Sequence, residues 1–220
     1  MSEEREIGRI IELNEDLFED NKELASRNEK IFEKHKIKTF DVVGAIGAGK
    51  TAILEMIVQH ISKNKRVYVI CGDITLRIDA DRIQKHGGKT IQINTGRECA
   101  LNAYHISKVL KALPLDEVDV LFIENVGNLI CPSDFILGAN KRILVVSVTE
   151  GEHVIIKHPS LVKMSEVIII NKTDLVSVLE TDLDRMIKDA KTINPNIKVI
   201  PLSAKTGENF QELLNFLEID

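Results

Sequence analysis

Residues 44–51 read Gly44-Ala45-Ile46-Gly47-Ala48-Gly49-Lys50-Thr51, with the helix-like run AILEMIVQHI directly after them. Glycines at this spacing let backbone N–H groups turn inward around phosphate oxygens. A lysine in this place bridges the β and γ phosphates, and the adjoining hydroxyl ligates Mg²⁺. The start of the following helix adds its positive end. Asn171-Lys172-Thr173-Asp174 closes a later apolar run, and Ser203-Ala204-Lys205 closes the next. The Asp174 carboxylate can accept from both N1–H and the 2-amino group of guanine, a donor pair that adenine lacks. The aliphatic stem of Lys172 can cover one face of the base. Backbone N–H groups of residues 203–205 can meet the guanine oxygen. In this order, after a phosphate loop, these segments point to GTP and GDP as ligands. Asp174 also suits a helix N-cap.

Two acidic segments lie between the phosphate loop and the base segment. Gly72-Asp73 is followed by Asp79-Ala80-Asp81-Arg82, and Glu124 is followed by Asn125-Val126-Gly127. Small GTPases carry Asp-x-x-Gly at the second place, where this chain has Glu124-x-x-Gly127. A carboxylate there can hold Mg²⁺ through water or polarise the attacking water, and Gly127 lets its N–H approach the γ phosphate. No glutamine follows in the water-orienting position, so slow intrinsic hydrolysis is expected. The catalytic candidates are Lys50, Asp73, Asp79 and Glu124, and the Mg²⁺ candidates are Thr51, Asp73 and Glu124. Of the three cysteines, Cys71 sits in the apolar run VYVIC and reads as a small core residue. Cys99 and Cys131 follow apolar runs on the side of the nucleotide. They read either as soft-metal thiolates for Zn²⁺ or Ni²⁺, or as two unrelated loop cysteines.

The elements that must place these residues alternate. Apolar runs occupy 39–43, 66–71, 90–94, 118–124, 142–148, 166–171 and 198–202, with helix-length segments at 50–63, 79–86, 99–112, 181–193 and 207–217. Runs apolar throughout, such as VLFIE and ILVVSV, suit strands buried on both faces of a parallel sheet. This predicts an α/β fold of the P-loop NTPase kind: a doubly wound, mostly parallel sheet of six to seven strands with helices on both faces. The ligand site then lies outside the carboxyl ends of the strands. Residues 39–220 form this domain. Residues 1–38 hold an amphipathic helix over 4–35, with Ile10, Leu17, Leu24 and Ile31 as its seam and Ile11, Phe18, Ala25 and Phe32 beside it. Asn14, Asn21 and Asn28 near the seam would weaken a long coiled coil. The pattern leaves open whether this helix packs on its own domain or meets a partner.

The chain has 220 residues, 44% of them hydrophobic and 29% charged, the balance of an ordinary globule. Its 29 basic and 34 acidic side chains leave a net charge of −5, which excludes a strongly basic nucleic-acid binder. Aromatic residues are 4% and Trp is absent, which argues against stacking platforms for single strands. No apolar run reaches the roughly 20 residues of a membrane span, and the acidic start has no signal-peptide pattern. Three cysteines are too few and too odd for a disulfide framework, which points to free thiols in a reducing cytoplasm.

Over residues 35–220 the chain resembles the hydrogenase nickel-incorporation GTPases of the HypB family. The likeness lies in GAIGAGKT, GD with DADR, NTG-x-x-C, FIENVGNLICP, TEGE with KHP, NKTD and LSAKTG. ENVGNLICP and NTG-x-x-C separate it from the urease nickel GTPase, which has Cys-Pro-His there. The resemblance implies a GTPase that dimerises with nucleotide and helps deliver nickel, working with a hydrogenase precursor or a partner maturation factor. It also implies a Zn/Ni site of loop cysteines and a histidine at the dimer interface, here Cys99 and Cys131. The family's Cys-His pair reads Cys99-Ala100, and its Leu-Asp-Ala-His reads Leu101-Asn102-Ala103-Tyr104. His105 is the nearest imidazole, turned about 100° along a helix. A dimer would offer four thiolates. Unlike members with a metal-binding tail, residues 1–38 contain His35 alone and no cysteine. Three other readings remain: a GTPase switch that has lost metal, an ATP-dependent small-molecule kinase, and a non-enzymatic scaffold.

Overall fold

The apolar runs become strands β1 (Lys38–Gly44), β2 (Val67–Asp73), β3 (Lys89–Asn94), β4 (Val120–Glu124), β5 (Lys141–Ser147), β6 (Val167–Asn171) and β7 (Lys198–Pro201). The computed structural model describes residues 13–73, 78–96 and 98–219, without the side chains of 13–17, 73, 78 and 79. The strands form one sheet in the order β3-β2-β4-β1-β5-β6-β7, and every pairing is parallel. β1 is central, with β4 on one side and β5 on the other, so the chain changes winding direction there. In open parallel sheets that crevice is where ligands bind, and the phosphate loop leaves β1 at that point.

Helices cover both faces: α1 (Leu13–Lys34), α2 (Lys50–Ile61), α3 (Ile78–Gln84), α4 (Ala103–Leu110), α5 (Val154–Lys157), α6 (Pro159–Lys163), α7 (Val176–Leu179), α8 (Leu183–Ile193) and α9 (Phe210–Leu217). No described helix is long and apolar enough to cross a membrane. On one face, Phe40, Val42 and Phe122 pack with Ile53, Leu54 and Ile57 of α2 and with Leu213, Leu214 and Leu217 of α9. The other face carries two apolar clusters. One gathers Phe32 of α1 with Ile106, Ile70 and Ile123. The second gathers Val43, Leu144 and Ile170 with Met186 of α8.

Two sequence expectations shift. The helix expected over 99–112 begins at Ala103, because the Asn102 side chain accepts from the His105 N–H at 3.1 Å and caps it. Cys99 and Ala100 therefore precede the helix. The buried stripe of α1 is Asn21, Ala25, Asn28 and Phe32, while Leu24 and Ile31 lie at its flank, half-buried. The helix packs on its own domain, and the part of the expected seam before Leu13 lies outside the described residues.

A buried ion pair sits beside the central strand. Asp41 of β1 meets Arg142 of β5 at 2.8 Å, both side chains under 10% exposed. The guanidinium also donates to the carbonyls of Pro132 and Phe135, at 3.0 and 2.6 Å. It thereby holds the loop between β4 and β5 against the sheet. Removing one member of such a pair strands a buried charge, which costs about 3–5 kcal/mol. Arg142→Met should lower unfolding stability by that amount in a denaturant titration, and a loss below about 1 kcal/mol would contradict the assignment. Just before β2 and β4, Asp119 accepts from the side chain and backbone N–H of Arg66, which hold its carboxyl at about 2, below the ordinary 3.8. A depressed carboxyl stabilises above its unfolded value and loses that effect as pH falls through its folded one. The stability gap between wild type and Asp119→Asn should be full above pH 4 and close towards pH 2, read from thermal melts at stepped pH.

Candidate functional site: a nucleotide cleft beside a cysteine pair

The loop after β1 turns back through Gly49, which has φ 103°. A Cβ there would lie 2.1 Å from Nδ2 of Asn171, so only glycine lets the loop approach β6. That Nδ2 donates to the carbonyl of Ala48 at 2.9 Å, and Oδ1 accepts from the N–H of Ala204 at 3.1 Å. One asparagine thus joins the phosphate loop, the end of β6 and the end of β7. Lys50 folds over the loop, its Nζ donating to the carbonyls of Gly44 and Ala45 at 3.1 Å. The Thr51 hydroxyl donates to Oε1 of buried Glu124 at 2.6 Å. A cavity of about 460 Å³ is lined here by Gly47, Gly49, Lys50, Thr51, Glu124 and Gly127. Arg82 also reaches it, held through two bonds by Glu55 of α2. The backbone of Asp73 ends β2, and the side chains of Asp73 and Asp79 lie outside the described residues.

A second cavity of about 330 Å³ is lined by Asn171, Lys172, Asp174, Ala204 and Lys205. It shares Gly49 and Ala52 with the first, so the two lie end to end. Lys172 adopts φ 64°, an uncommon conformation for a non-glycine residue, and its Nζ donates to the Gly47 carbonyl at 2.8 Å. The stem of Lys172 is thereby laid over the loop. The Ser203 hydroxyl donates to Oδ1 of Asp174 at 2.7 Å and sets the angle of that carboxylate. Beside Lys172, Glu150 accepts from the Ser147 N–H. Burial raises its carboxyl above the ordinary value, against the opposing pull of that bond, Lys172 and Lys50.

Cys99 and Cys131 are brought together, though not as the free thiols expected. Their sulfurs are joined in a disulfide with the Cα atoms 6.1 Å apart. The physical reason is placement, since the loops leaving β3 and β4 meet at the carboxyl edge within the span such a bond needs. Cys71 is outside the disulfide and buried in the core, as expected. His105, the nearest imidazole by sequence, sits in the first turn of α4. Its Nδ1 accepts from the Asn102 N–H at 3.2 Å and its Nε2 faces Glu98 at 3.5 Å, so the cap of α4 holds the ring. Among the described residues no three His, Cys, Asp or Glu side chains converge as a metal set.

Asn128 escaped the sequence reading. Its backbone N–H donates to the Gly44 carbonyl at 3.1 Å. Its Oδ1 accepts from the N–H groups of Ile130 and Cys131, and Nδ2 lies 3.5 Å from the Cys131 sulfur. Asn125, also missed, accepts from the Leu101 N–H at 2.9 Å and donates to Asp41 at 3.2 Å. Both lie in the ENVGNLICP segment quoted for the family likeness, but nothing near them in sequence names their partners.

Comparison with known proteins fits this geometry. The family model of the CobW/HypB/UreG nucleotide-binding domain matches residues 38–201. A protein of Methanocaldococcus jannaschii, named as a probable hydrogenase maturation factor HypB, is 46% identical over 209 residues, covering 95% of each chain. The crystal structure of hydrogenase maturation factor HypB from Archaeoglobus fulgidus superposes with a TM-score of 0.86 at 40% identity, covering 91% of this chain and 98% of that one. HypB from Helicobacter pylori, crystallised in complex with nickel, gives 0.85 at 32% identity, covering 90% and 94%. With its nucleotide-binding domain matched almost from end to end, this chain belongs to the HypB family of hydrogenase maturation factors.

Proposed function

We propose that this protein is a GTP-binding and slowly GTP-hydrolysing metallochaperone for nickel insertion during hydrogenase maturation, with the Cys99–Cys131 pair coupled to nucleotide state. The observation that carries the coupling is Asn128. It bonds the phosphate loop through its backbone and the Cys131 segment through its side chain. Gly44 accepts from both Asn128 and Lys50. A bound γ phosphate competes with this carbonyl for Lys50, so nucleotide chemistry changes the partners of the atom that holds the cysteine loop.

Guanine occupies the cavity at Asp174, stacked under the stem of Lys172, and the phosphates lie along residues 44–51. Thr51 and Glu124 would hold Mg²⁺, with Asp73 as the further candidate. The Thr51–Glu124 contact supports this, because two hard oxygen donors from separate elements meet on the phosphate-side wall. When bound, Mg²⁺ supplies positive charge against the β and γ phosphates. Glu124, Asp73 and Asp79 are the candidates for placing the attacking water.

Reduced, Cys99 and Cys131 give two soft donors from one chain, and a nucleotide-dependent homodimer gives four, the set tetrahedral Zn²⁺ takes. Nickel, as cargo, would pass through the same thiolates. The setting for this reading is the reducing cytoplasm, where the pair is a dithiol. A metal-free GTPase switch acting through dimerisation is the second reading. The His105 ring held in its cap and Ala100 beside Cys99 favour it. An ATP-dependent kinase is disfavoured by Asp174, whose carboxylate has no donor pair to meet on adenine.

The guanine assignment is tested by nucleotide titration. Asp174→Asn should weaken GDP binding at least tenfold, about 1.4 kcal/mol, and leave ATP binding unimproved. Equal wild-type affinity for ATP and GTP would overturn it.

A further inference from the structure

Two asparagines of α1 each touch both cysteine-bearing segments. Asn21 accepts from the Ala103 N–H at 2.8 Å through Oδ1 and donates to the Ile136 carbonyl at 2.9 Å through Nδ2. Asn28 donates through Nδ2 to the carbonyls of Ala103 and Leu137, at 2.9 and 3.2 Å. Ala103 follows Cys99 by four residues, and Ile136 and Leu137 follow Cys131 by five and six. Seven residues separate the two asparagines, two helical turns, so they share one face. Ala25 lies between them on that face. There the loop passes as Gly138, with φ 87°, and a Cβ at Gly138 would lie 2.2 Å from the Ala25 carbonyl. Phe18 meets Phe135 at a ring distance of 5.8 Å on one side, and Phe32 is buried in the core on the other.

We propose that Asn21 and Asn28 are positioning residues for the Cys99–Cys131 pair, with α1 serving as a clasp that fixes the separation of the two cysteine segments. Each asparagine satisfies one backbone group from each segment, so neither segment can drift without orphaning a buried partner. Apolar packing alone would tolerate sliding, whereas these bonds set register. The proposal rests on the reading that this pair is the chemistry-bearing site beside the nucleotide, and it explains why α1 carries asparagines in its buried stripe. The clasp leaves the nucleotide cleft untouched, since neither asparagine lines either cavity described above.

The consequence is measurable as a thiol–disulfide equilibrium in the full chain without metal. Two glutathione thiols reduce the Cys99–Cys131 disulfide, giving the dithiol and one glutathione disulfide. A clasp that holds the segments together raises the effective concentration of one thiol near the other and favours the protein disulfide. Equilibration in glutathione buffers, followed by alkylation and peptide mass spectrometry, reads the constant. Asn21→Ala/Asn28→Ala should lower it at least tenfold while GDP affinity stays within twofold. Gly138→Ala, which keeps both asparagines but unseats the helix, should lower it in the same direction and supplies the result if the double variant does not melt cooperatively. Glu23→Ala, on the exposed face of α1, should leave it unchanged. A constant within twofold of wild type in Asn21→Ala/Asn28→Ala, or in Gly138→Ala where that variant supplies the result, would overturn the proposal, as would an equal fall in Glu23→Ala. Zinc titration of the reduced wild type separates the two ideas. No binding defeats the metal reading, and the redox constants still decide the clasp.

Discussion

At the end of β1 the carbonyl of Gly44 accepts two hydrogen bonds, one from Lys50 Nζ and one from the backbone N–H of Asn128, each 3.1 Å long. One donor belongs to the lysine proposed to meet phosphate. The other belongs to the segment that carries Cys131. A carbonyl has two acceptor positions, and both are used. Around this atom the parallel sheet brings together segments far apart in sequence, because every strand delivers its carboxyl end to the same edge. Asn171 repeats the device on the other side, tying the phosphate loop to the base-side loops.

Buried polar side chains, more than apolar contact, give these loops their positions. Asn125, Asp41 and Arg142 hold the segments after Cys99 and Cys131 from the sheet side, and Asn21 and Asn28 hold them from the helix side. Such groups are costly to leave unpartnered, so each fixes one arrangement instead of a family of packed ones. Two layers of hydrogen bonds thus place the cysteine pair, and Asn128 is its proposed link to the nucleotide.

Much of the architecture could be read from the sequence because its signals are local. Short apolar runs mark all seven strands within a few residues, the inner ones buried on both faces and the edge strands β3 and β7 only partly, and 44–51 and 171–174 are contiguous motifs. Legibility failed where partners are distant. Asn21 and Asn28 read as a coiled-coil flaw, since nothing near them names the backbone of residues 103, 136 and 137. The sequence places the start of α4 early because Asn102 competes with helix continuation, its side chain accepting from the His105 N–H to cap the helix. Arg142 and Asp41 lie about a hundred residues apart, and only the pairing of β1 with β5 brings them together. The disulfide was missed for the same reason, as 32 residues separate its halves in sequence.

The proposed coupling runs through one mechanical link shared by nucleotide and cysteine pair, the Gly44 carbonyl and Asn128. The most direct measurement is the Zn²⁺ dissociation constant of the reduced protein, by competition with a chromophoric chelator, with GDP and then with a non-hydrolysable GTP analogue. Coupling free energies of this kind amount to roughly 1–3 kcal/mol, so the two constants should differ at least about fivefold. Identical constants with the two nucleotides, or no zinc binding with either, would contradict it.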